Sequence, residues 1–224
     1  MSLQAITAET MIPFLIRTAI PCVQEKNKLP EENMTARDHL IWDAVYRAHR
    51  DVLTGRKHVA SYSKETIEIE EPQAGNQRIV NHLALKLYQT IKGNNDEALS
   101  SERLLQALGQ AFSHIGLGPK QKLVNMTLKY LVILQAFGYI DCKICIAECD
   151  CPLDSIILER LKEDAPYADY DKKIRWTQLG TQEDDKTTYQ KIQNAISEIV
   201  QPFPKLKYDF KNWQELEKAI PKNK

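Results

Sequence analysis

Ile115-Gly116-Leu117-Gly118-Pro119-Lys120-Gln121-Lys122-Leu123-Val124-Asn125-Met126-Thr127-Leu128-Lys129-Tyr130-Leu131-Val132-Ile133-Leu134-Gln135-Ala136-Phe137-Gly138 joins a two-glycine turn to an apolar run. Pro119 suits a first helical position, where a missing N–H costs little, and Gly138 suits a stop. Leu123, Val124, Leu128, Leu131, Val132 and Ala136 recur at three- and four-residue spacing. That spacing predicts a helix from Pro119 to Phe137. So many apolar positions on one helix imply burial on more than one side, near the centre of the fold.

The same period recurs along the chain. It predicts helices over 9–26, 35–52, 79–91, 101–112, 154–163, 187–200 and 209–220 beside the central one. Thr35 is placed as a cap, Ser100 or Ser101 caps the fourth helix, and Gly93 suits a left-handed stop. Asp184 and Asp185 mark an acidic helix start, and Asp209 caps the last helix. Residues 57–73 lose the period, and Ile67 and Ile69 alternate too briefly to separate a short β-hairpin from an ordered loop. The expected class is mainly α, with about eight helices and at most one small β-hairpin, in a single domain over 1–224. A subdomain boundary could fall near 57–75.

Composition narrows the function. Lys plus Arg and Asp plus Glu are equal at 30 each, so no net field draws in a polyanion, although a local basic face still can. The apolar start around Met11–Pro21 is interrupted by Arg17 and lacks a signal pattern, which predicts a cytoplasmic protein. No apolar run approaches the roughly 18 residues needed to span a bilayer, so no membrane role is expected.

The chemistry lies in the turn. Two glycines around one apolar residue leave backbone N–H groups free to face an anion, and the helix start behind them adds a positive dipole end. Lys120 would stand beside a bound phosphate. Pro152-Leu153-Asp154-Ser155 supplies a second helix start, so an amine and a carboxylate could converge on one nucleotide.

Both segments together resemble the helix–hairpin–helix DNA glycosylases, including lyase-type members with a lysine nucleophile. The resemblance rests on Ile115-Gly116-Leu117-Gly118-Pro119-Lys120 and Pro152-Leu153-Asp154-Ser155, with residues 139–151 as an insertion between them. It implies that Gly116, Leu117 and Gly118, with Lys122 beside them, grip the backbone of duplex DNA. It makes Lys120 the amine that attacks the sugar C1′ and Asp154 the carboxylate assisting base loss, on a base flipped out of the stack. Such an amine must lose its proton, which desolvation favours, and a carboxylate can stabilise positive charge as the glycosidic bond breaks. Lys120, Lys122 and Lys129 would then share one phosphate-facing surface.

The same residues also have an architectural reading. Gly116 and Gly118 can simply end one helix and begin another, Asp154 can be an N-cap with Leu153 and Leu158 as a hydrophobic staple, and Lys120 and Lys122 can be solvated. The alternative function is a noncatalytic helical interaction or nucleic-acid-binding protein.

Cys142, Cys145, Cys149 and Cys151 crowd into ten residues, with Cys22 apart. Only Cys142–Cys145 forms a zinc knuckle spacing, so no metal is expected and the thiols are read as reduced and partly buried. Trp176 with Arg175 is read as an anchoring aromatic or a base-stacking pair, and His114 as a helix-terminal charge. Glycine-rich nucleotide loops, a nucleophile elbow and a His-Glu-x-x-His helix are missing, so no cofactor is expected.

Overall fold

The computed structural model describes residues 34–53, 66–70, 77–94, 97–179 and 185–219. The expected helix over 9–26, Cys22 and most of the candidate boundary at 57–75 lie outside them. Among the described residues the chain is mainly α, with seven α-helices and one two-stranded antiparallel sheet. The elements are α1 (Ala36–Leu53), β1 (Thr66–Glu70), β2 (Gln77–Asn81), α2 (His82–Lys92) and α3 (Ser101–Ala111). The long α4 (Leu117–Ala136) precedes α5 (Ser155–Asp164), α6 (Asp185–Val200) and α7 (Leu206–Ala219). None of the described helices is long and apolar enough to cross a membrane.

Local chemistry sets the helix ends. Thr35 and Asp38 cap α1 reciprocally: the Asp38 N–H donates to Thr35 Oγ1 at 3.2 Å, while Thr35 N–H and hydroxyl donate to Asp38 Oδ2 at 3.2 and 2.8 Å. This is a capping box with aspartate in the glutamate position. Ser100 caps α3 through Arg103 N–H at 3.4 Å.

Three local expectations are corrected. Ile79 and Val80 carry helical spacing, yet they lie in β2, paired with Glu68 and Ile67, and α2 begins at His82. Asn81 makes the switch, since its Oδ1 accepts from Leu83 N–H at 3.0 Å. Gly93 closes α2 at φ −74°, in the right-handed region, whereas Gly138 after α4 has φ 73° and does occupy the left-handed one. Asp209 does not cap α7; the helix starts one turn earlier and Asp209 is buried inside it.

The central helix is enclosed. From Gly118 to Ile133 every residue of α4 is buried, with α1 and α3 its main helical neighbours. Tyr130 ties it to α1, its hydroxyl donating to Asp51 Oδ2 at 2.5 Å. Leu128 and Leu131 are both fully buried. Replacing either by Ala is expected to cost about 2–5 kcal/mol, read as a fall in the urea midpoint at unchanged slope.

Candidate functional site

Burial of α4 extends to its polar residues. Gln121, Asn125 and Lys129 stand four apart and are all fully buried. This spacing stacks them on one face. Each has a partner from another part of the fold, because a polar group taken from water must be compensated.

Gln121 grips Leu153 at both backbone groups, its Nε2 donating to Leu153 O at 2.9 Å and its Oε1 accepting from Leu153 N–H at 3.1 Å. Gln193 of α6 does the same for Cys151, donating to its carbonyl at 2.8 Å and accepting from its N–H at 3.0 Å. Residues Cys151 to Leu153 are thus held between two helices by side-chain amides. Asn125 completes the arrangement. Its Nδ2 donates to Tyr189 Oη at 3.0 Å, and its Oδ1 accepts from Ser101 Oγ at 2.8 Å. Ser101 Oγ accepts in turn from Asp150 N–H at 2.8 Å, and the Tyr189 hydroxyl donates to Asp150 Oδ2 at 2.7 Å. Lys205 pairs with the other oxygen of Asp150. Burial, then the Asp150 charge, pushes the Tyr189 phenol well up, so it stays a neutral donor.

Lys129 pairs with Asp209 of α7, both essentially without solvent exposure. Its Nζ also lies 5.3 Å from the Phe210 ring centre and 5.6 Å from that of Trp213. Burial pushes the Asp209 carboxyl up and the Lys129 ammonium opposes it.

The residues proposed from the sequence are arranged differently from the expected phosphate grip. Gly116 precedes α4 as its N-cap, with φ −60° and ψ 161° and no side-chain cap. Leu117 is half-buried and packs on the core. Gly118 is buried in the first turn of α4, its N–H donating to Leu179 O at 2.8 Å. A Cβ there would stand 1.9 Å from the Trp176 carbonyl oxygen. The close backbone approach that glycine permits is made here by the Trp176–Leu179 turn of the protein itself.

The three lysines are not solvated, and they do not share one outward surface. Lys120 is 8% exposed and its Nζ donates to Phe112 O at 3.2 Å. Burial lowers its pKa from the ordinary lysine range. Lys122 is 7% exposed, with its Nζ 4.6 Å from the centre of the Trp176 ring, and Lys129 is enclosed as described. Trp176 itself is buried and serves as an anchor.

Asp154 is half-buried and caps α5, its Oδ1 accepting from Ile157 N–H at 3.0 Å. Leu153 and Leu158, the two staple residues, are both buried. The Asp154 charge reaches Cys151 and Asp209. The two motif segments do meet, but through Gln121 and Leu153; Lys120 turns to Phe112 and Asp154 to its own helix.

Cys142, Cys149 and Cys151 are buried thiols and Cys145 is half-buried. Among the described residues no group of three or more His, Cys, Asp or Glu side chains is placed to hold a metal ion. His114 is exposed beyond the end of α3, its ring 6.4 Å from that of Phe112.

The residues that sequence reasoning missed are Gln121, Asn125, Tyr189 and Gln193. One signal was present for the first two: polar residues at positions 121, 125 and 129 of an otherwise apolar helix. Compared with protein-family models, curated proteins and solved structures, the chain matches none.

Proposed function

We propose that this chain is a noncatalytic helical interaction protein, in which the Gly116–Lys120 turn is architecture rather than a phosphate grip. The contact of Gly118 with the Trp176–Leu179 turn carries this reading, because it uses the N–H and the open side of the glycine that a DNA backbone would need. Zero net charge and the internal partners of Lys120, Lys122 and Lys129 support it.

A second reading, a helix–hairpin–helix glycosylase or lyase acting on damaged or abasic duplex DNA, is favoured by two observations. Gln121 joins the two motif segments, and desolvation moves Lys120 toward the neutral amine that a nucleophile requires. In that reading Lys120 attacks C1′ after the Trp176–Leu179 turn withdraws, and Asp154 assists base loss.

Borohydride trapping on duplex DNA with an abasic site separates the two, since an amine nucleophile leaves a reducible Schiff base. The expected result is no covalent adduct and no salt-dependent binding. A wild-type adduct that disappears in Lys120→Gln would establish the lyase reading. Binding with a log–log salt slope of about −0.9 per phosphate contact, without an adduct, would make the chain a noncatalytic DNA binder.

A further inference from the structure

The four clustered cysteines are treated unequally by the fold. Cys142 is buried, and Cys151 is fully buried with its thiol directed to Pro152 O at 3.7 Å. Cys145 and Cys149 bracket a 3₁₀ turn, Ile146–Glu148. Cys145 is half-buried, and the Cys149 thiol donates to the carbonyl oxygen of Cys145 at 3.4 Å. The second thiol thus touches the backbone of the residue that carries the first.

We propose that Cys145 and Cys149 form a peroxide-sensitive thiol pair, with half-buried Cys145, the most accessible of the four, the point of attack and buried Cys149 the resolving group. The oxidant is hydrogen peroxide. The Cys145 sulfur, as thiolate, attacks one peroxide oxygen; an S–O bond forms, the O–O bond breaks, and the departing hydroxide takes up the thiol proton as water. Cys145 is then a sulfenic acid. The Cys149 sulfur attacks the Cys145 sulfur, an S–S bond forms, and the S–O bond breaks with its oxygen leaving as a second water that carries the Cys149 proton. Two thiols lose two electrons and one peroxide is reduced to two waters.

Burial, then the charges of Asp150 and Cys145, pushes the Cys149 thiol far up. The pair is therefore asymmetric. Cys149 stays protonated and shielded until the sulfenic acid stands beside it, and closing the bond draws Cys149 out of its packed position. Asp150 follows it in sequence, so the oxidised turn pulls on the anchor of Tyr189 and Lys205.

The test treats the folded full-length chain with hydrogen peroxide, alkylates the remaining thiols after denaturation, and measures tryptic peptides. Residues 144–160 form one peptide containing Cys145, Cys149 and Cys151. That peptide is expected to lose two hydrogens and to carry one alkyl group, on Cys151. Cys151→Ser should keep the disulfide. Cys149→Ser should lose it and yield a dimedone adduct on Cys145; Cys145→Ser, which leaves the core untouched, should lose it as well. A reduced peptide after peroxide, a bond that survives in Cys145→Ser, or a cross-link to Cys142 would each overturn the proposal.

Discussion

Gly118→Ala is expected to destabilise the protein by about 3 kcal/mol or more, and Gly118→Val further, because the added carbon falls 1.9 Å from a backbone oxygen. A flexible side chain can move aside, but the Trp176 carbonyl belongs to a turn that also accepts the Gly118 N–H through Leu179. Either α4 shifts or the turn detaches, exposing Trp176 and Leu179, both now buried. Gly109 is the control. A Cβ there meets nothing within 4 Å, and the site lies inside α3, so Gly109→Ala should be neutral or gain up to about 1 kcal/mol from helix propensity. Urea unfolding of the two variants side by side makes the comparison. Equal midpoints would show that the turn does not press on α4. If the glycine instead served a DNA backbone, the valine variant would lose binding while keeping its midpoint.

Lys129→Met is expected to cost about 3–5 kcal/mol, since it leaves the Asp209 carboxylate buried without its partner. Replacing both members, as in Lys129→Met with Asp209→Leu, should recover most of that loss, because neither charge then has to leave water. The pH dependence gives a second readout. Without the ammonium, burial and then the Asp154 charge raise Asp209 against only a Trp213 hydrogen bond, which holds its folded-state pKa above the unfolded value of about 3.9. The stabilising share of that group is then complete below the unfolded pKa and is lost as pH rises through the folded one. The single variant should therefore recover stability on acidification relative to the double variant. A single variant that unfolds at the wild-type midpoint at neutral pH would show that the pair carries no such burden.

Helix periodicity made most of the fold legible, because it depends only on neighbours in sequence. It failed where the deciding partner lies elsewhere. Ile79 and Val80 fit a helical stripe, and only pairing with Ile67 and Glu68 makes them strand residues. At Gly118 the sequence does report that some backbone comes close, but a phosphate chain and the protein's own Trp176–Leu179 turn require the same missing side chain. Lys129 reads as a surface cation until Asp209 on the last helix is brought to it. Gln121 and Asn125 were the most informative residues overlooked. Taken singly each is an ordinary helical polar residue; in register with Lys129 on a helix with no exposed face, they mark where the core needs hydrogen-bond partners.

Cys151 to Leu153 is a buried segment outside any helix or strand, and the carbonyls and N–H groups of Cys151 and Leu153 are met by the amides of Gln193 and Gln121. A strand in a sheet offers its unpaired side to any other chain that is extended, and proteins must blunt that invitation. Here both glutamines belong to helices, so the segment is hydrogen-bonded like a strand without presenting an edge. The backbone groups of Cys151 and Leu153 are taken up inside the fold rather than offered to a foreign strand, so this buried segment is spared the exposure that an edge brings to a sheet.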